Sequence, residues 1–139
     1  MKLYKNYIDG KWLESDSKDI IQVDDPATGK IIGEISCAKK NEVDLAVSAA
    51  KAAFNSRVLV DMPLLERAKL MHRIADETRK IADEGGKMLC YENGKMLGSA
   101  IKEFNDVADM FDYYAGLTDK LEGKTIPVSP TIFDYTGLE

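Results

Sequence analysis

At 139 residues the chain is long enough for one domain with a core and too short for two comfortable ones. Its 45% hydrophobic and 31% charged residues exclude wholesale disorder, and a net charge of −5 with no basic stripe excludes a nucleic-acid partner. The opening MKLYKNYIDG has no apolar stretch of signal-peptide length and no later run reaches membrane-spanning length, so a cytoplasmic protein without membrane contact is expected.

The first element is a hairpin. In YIDGKW, Asp9-Gly10 lies between Ile8 and Trp12, the pattern of a tight turn between short strands. A second hairpin follows, with IIQV (20–23) and KIIGEI (30–35) flanking DDPATG. There Asp25 accepts backbone N–H bonds, Pro26 restricts φ and Gly29 tolerates a left-handed conformation.

From Asn41 the period changes to that of a helix. Asn41 is the expected N-cap, Glu42 and Asp44 suit the positive end of the helix dipole, and Val43, Ala46, Val47, Ala50 and Phe54 form one stripe. Asp61 and Pro63 open a second helix, with Ala68, Met71, Ile74, Ala75, Thr78 and Ile81 on one face. Gly85-Gly86 is expected to interrupt or end it. KMLCYENG reads as helix closed by a glycine C-cap at Gly94, because no alternation flanks Asn93-Gly94 as a hairpin would require. The most regular pattern runs from Leu97 through Ala100, Ile101, Phe104, Val107, Ala108, Phe111 and Tyr114 to Ala115, a long helix ended by Gly116 or Gly123. KTIPVSPTIFDYTGLE reads as extended chain, its prolines suiting an edge strand. The fold class is therefore α+β, mainly helical with N-terminal β-hairpins.

Few residues offer chemistry. Gly123-Lys124-Thr125 has the ending of a phosphate-binding P-loop. The distal glycine five positions earlier is replaced by Thr118, and the segment follows a helix instead of joining a strand to one. Cys37 and Cys90 have no metal spacing and read as small buried thiols. The lone His72 has no ligand cluster near it in sequence, so no metal is expected. No GxSxG or GxGxxG motif is present, and the carboxylates are scattered over helix faces. These features assign no catalytic and no cofactor-binding residue.

Seven segments taken together carry more. YIDGKW, DPATGKIIGEI, VDLAVSAAKAAF, LLERAKLMHRIAD, ENGKMLGSAIKEF, DYYAGLTDKLEGKTIP and FDY occur in an order and at intervals that resemble the start of NAD(P)-dependent aldehyde dehydrogenases. One departure is the lack of the tryptophan that family members commonly carry between the first two helices, here NSRVLVDMP. The resemblance implies that residues 1–122 are the N-terminal hairpins and helices of an α/β, Rossmann-like cofactor domain, and that 123–139 begin the bridging or oligomerisation strands. DKLEGKTIP then becomes the link between the two, its glycine a turn.

The resemblance also implies what the chain lacks. The family's oxyanion-supporting asparagine, glycine-containing cofactor loop, general-base glutamate and nucleophilic cysteine all belong to later sequence. Neither Cys37 nor Cys90 lies in the nucleophile's motif. The chain alone is expected to be inactive and to hold no cofactor, with NAD or NADP serving the complete enzyme, and its expected partner is the remainder of the enzyme or further copies of itself. A stand-alone homo-oligomeric scaffold module derived from the enzyme is the competing expectation. In either case the faces around Phe54, Ile74 and Phe104 are expected to need cover.

NDVADMFDYYA most resembles the betaine aldehyde and aminoaldehyde dehydrogenases, which implies a substrate-entrance role for Asp106 and Asp109 toward a cationic substrate. Against it stands an ordinary solvated face shared with Lys102, Asp112 and Asp119.

Overall fold

The computed structural model describes residues 2–120, 122–129 and 132–136. Five strands come first: β1 (Leu3–Tyr4), β2 (Asn6–Ile8), β3 (Lys11–Leu13), β4 (Ile20–Asp24) and β5 (Ile31–Ser36). Four helices follow, α1 (Lys40–Asn55), α2 (Leu64–Lys80), α3 (Ala82–Asn93) and α4 (Leu97–Ala115), and then β6 (Lys124–Ser129) and β7 (Ile132–Thr136).

Both expected hairpins form. β2 and β3 pair antiparallel around Asp9 and Gly10, whose φ angles of 50° and 76° are the two left-handed residues of a type I′ turn. Opposite each other across this hairpin, Tyr7 and Trp12 hold their rings 5.0 Å apart. β4 and β5 pair antiparallel around the DDPATG turn. Here the Asp25 carboxylate accepts from the Ala27 N–H at 2.9 Å and the Thr28 hydroxyl at 2.8 Å, and Gly29 has φ 67°. β1 then joins β5 in parallel, giving a three-stranded sheet in the order β1-β5-β4. That pairing joins segments about thirty residues apart, and neither segment carries a local signal for it.

The helices depart from expectation at two places. α1 begins at Lys40, so Asn41 lies inside the first turn and is not the N-cap. The turn is closed instead by Glu42, whose carboxylate accepts the Lys39 N–H at 2.9 Å, the glutamate half of a capping box. Gly85-Gly86 neither ends nor interrupts a helix. The break falls earlier, at Ile81 between α2 and α3, and the two glycines sit inside α3. Their role is contact with α4. A Cβ on Gly85 would lie 2.2 Å from the Phe104 ring, and one on Gly86 would lie 2.9 Å from the Ile101 backbone. Packing overrides the weak helix propensity of glycine at this crossing.

The expected cap at Gly94 is present, with φ 72° and its N–H bonded to the Cys90 carbonyl at 2.9 Å. The tip of the second hairpin reaches this joint: a Cβ on Gly94 would come within 3.1 Å of the Pro26 ring. α4 runs as expected and ends at Gly116. Lys124 opens β6, so Gly123-Lys124-Thr125 runs into a strand and not into the helix a P-loop requires, and β6 pairs antiparallel with β7.

The core is a seam of small residues. Ala75 of α2, Ala82 of α3, and Ala100, Ala108 and Ala115 of α4 are buried, side chains small enough to let helices pack closely. Among the described residues no large side chain is fully buried. Phe104, expected to lie on an uncovered face, is half-buried over Gly85, whereas Phe54 is 82% exposed.

Candidate functional site

Two groups of polar residues organise the described surface. The first is a knot at the start of α1. The Glu42 carboxylate accepts from the Ser15 hydroxyl at 2.8 Å, the Asp16 N–H at 3.0 Å and the Lys39 N–H at 2.9 Å, while Ser15 donates its own N–H to the Ser36 hydroxyl at 2.7 Å. Ser15, Ser36 and Glu42 are all buried. The N–H of Asp16 contributes most, followed by Glu42's own N–H, the Ser15 hydroxyl and the Lys39 N–H. Together they hold the Glu42 carboxyl at about 2, against an ordinary value of 4.5.

This knot bears on dinucleotide binding. A strand-to-helix turn is where a phosphate is cradled, and among the described residues the β5-to-α1 turn is the one of that kind. Its helix N-terminus already faces a buried carboxylate of its own chain. A phosphate there would meet like charge, so the turn does not fit a dinucleotide.

The second group ties α2 to α4. The Asp112 carboxylate meets Nδ1 of His72 at 2.6 Å and accepts from the Arg79 guanidinium at 2.6 Å, while Arg79 also donates to Asp109 at 2.8 Å. The His72 contact, then Arg79, lowers the Asp112 carboxyl below the usual aspartate range. The same aspartates, Asp112 first, raise the Arg79 guanidinium. His72 thus has a partner that sequence proximity does not show, because the pair spans two helices.

Asp106 and Asp109, three apart on α4, each meet a cation. Asp106 turns back along α4 to Lys102, at 2.5 and 2.6 Å from its two oxygens, and Asp109 reaches across to Arg79. Each carries a cation against it, which shrinks the field either can project. Nothing in the sequence marks Arg79. Its role depends on how α2 crosses α4, and no motif encodes that.

Cys37 borders the first group, its carbonyl accepting from the Ser17 hydroxyl at 3.4 Å, and Cys90 belongs to neither. Cys37 follows β5, with its N–H bonded to the Asp19 carbonyl at 2.9 Å, and Cys90 lies in α3. Both are free and half-buried, less covered than the small buried thiols expected. Among the described residues no three His, Cys, Asp or Glu side chains gather as a metal ion would require, and no helix is long and apolar enough to cross a membrane. One open apolar cleft of about 320 Å³ lies between the β1-β5-β4 sheet and α3, bordered by Tyr4, Val23, Ile35, Met88 and Tyr91.

Relatives supply the context for this geometry. The model of the aldehyde dehydrogenase family matches residues 12–139. The chain belongs to the aldehyde dehydrogenase family. A D-glyceraldehyde dehydrogenase (NADP(+)) from Picrophilus torridus is 34% identical over 122 residues, covering 88% of this chain and 24% of the relative. Among solved structures, an aldehyde dehydrogenase from Bacillus cereus superposes with a TM-score of 0.82 at 29% identity, covering 96% of this chain and 28% of that one. Betaine aldehyde dehydrogenase from Staphylococcus aureus in complex with NAD+ gives a TM-score of 0.79 at 30% identity, covering 91% of this chain and 25% of that one. The chain spans about a quarter of the length of the curated relatives it matches. The mixed fold of small sheets and four helices is thus a portion of the aldehyde dehydrogenase fold.

Proposed function

We propose that this chain is the N-terminal part of a cytoplasmic enzyme that oxidises an aldehyde to a carboxylic acid with NAD+ or NADP+, and that the chain alone neither binds the cofactor nor turns over substrate. The observation that carries this reading is the family match across residues 12–139 at only a quarter of the relatives' length. Burial supports it, because a chain with no fully buried large side chain among its described residues and with Phe54 82% exposed has faces made for other protein.

The reaction needs a thiolate to attack the aldehyde, a donor for the oxyanion, a nicotinamide to receive hydride and a base to activate water. We assign none of these to the residues present. Cys37 and Cys90 have no neighbouring base among the hydrogen bonds described, and His72 is held by Asp112. In this reading residues 1–122 are the N-terminal hairpins and helices of the cofactor domain, the stripe of α1 and the exposed Val58, Leu59, Val60 and Leu65 dock on the remainder of the enzyme, and residues 123–139 begin the bridging strands.

The test is complementation. The purified chain, mixed with aldehyde and NAD+ or NADP+, should give no rise in reduced-nicotinamide absorbance, and light scattering on the same sample should be unchanged by the cofactor. Production together with the remaining three quarters of a family member should yield a stoichiometric complex with activity. Turnover by the pure chain would overturn the reading. A discrete homo-oligomer that ignores the complementing segment would favour the scaffold module.

Within the completed enzyme, an entrance role for Asp106 and Asp109 rests on their exposed position along α4. Because Lys102 offsets Asp106 and Arg79, shared with Asp112, offsets Asp109 in part, replacing the two by asparagine should change KM for a cationic aldehyde by less than about threefold at low salt. A tenfold rise confined to cationic substrates would make them the steering residues.

A further inference from the structure

We draw no further inference here: the strongest candidate, the open apolar cleft of about 320 Å³ between the β1-β5-β4 sheet and α3 bordered by Tyr4, Val23, Ile35, Met88 and Tyr91, is an unpartnered face, and nothing in the structure shows what covers it.

Discussion

α4 and α1 have the same kind of sequence and opposite surroundings. Each carries an apolar stripe at helical spacing. That of α4 meets Gly85 and Gly86 of α3 through Phe104 and Ile101, and Ala100, Ala108 and Ala115 are buried. On α1 the stripe points outward, with Val43 at 50%, Val47 at 62% and Phe54 at 82% exposure. What fastens α1 is polar and confined to its first turn, the Glu42 knot. Periodicity therefore identifies a face that must be covered without saying what covers it.

Substitutions can sharpen this contrast. The largest effect is expected from Phe54→Ala, which should leave the isolated chain within about 0.5 kcal/mol of its original stability and cost the completed enzyme about 3 kcal/mol. Denaturant melts of both would show it, and equal melts in the two settings would remove α1 from the docking face. Gly86→Ala attacks the other helix. Its Cβ would press on the Ile101 backbone, which cannot swing aside, so a net loss of about 2 kcal/mol is expected even after the gain in helix propensity.

A smaller effect follows from Glu42→Gln, which weakens the polar knot at the start of α1. The native carboxyl titrates at about 2 and its ordinary value is 4.5, so its stabilising contribution is complete above the ordinary value and is lost as pH falls toward 2. The gap in thermal midpoint between Glu42→Gln and the parent chain should therefore be widest near pH 6 and close at about pH 2. A gap that stayed constant would mean the carboxylate charge is irrelevant. The smallest change should come from Gly98→Ala in the first turn of α4, where a Cβ meets nothing within 4 Å. A gain of about 0.5 kcal/mol in a denaturant melt is expected, opposite in sign to Gly86→Ala.

Local chemistry made much of the fold legible. Asp9-Gly10, the Asp25 turn, the Gly94 cap and the stripe of α4 each encode their geometry within a few residues, and each formed where it was read. Non-local features were read less well. Gly85-Gly86 looked like a break because glycine disfavours helix, and only the approach of Phe104 and Ile101 from α4 explains its place inside α3. Asn41 looked like a cap because its residue type favours one, yet Glu42 reaches back to the Lys39 N–H while also gripping the loop at Ser15 and Asp16. The polar bridge around Arg79 joins residues 72, 79, 109 and 112 across two helices, so no linear motif could have announced it. Even the order of seven weak segments resolved the family without revealing these contacts, because a family order carries no side-chain geometry.

The touch of Pro26 on the Gly94 joint has a consequence for how the chain matures. The hairpin that carries Pro26 can close within microseconds once it is free, since its turn is local. The joint it rests on is made only after α3 has been synthesised, which at ribosomal speeds comes on the order of ten seconds later. During that interval the sheet face that will border α3, including Val23 and Ile35, lacks its neighbours Met88 and Tyr91. Nascent chains halted before Gly94 should therefore be good clients for a ribosome-associated chaperone, and chains released past Gly116 poorer ones.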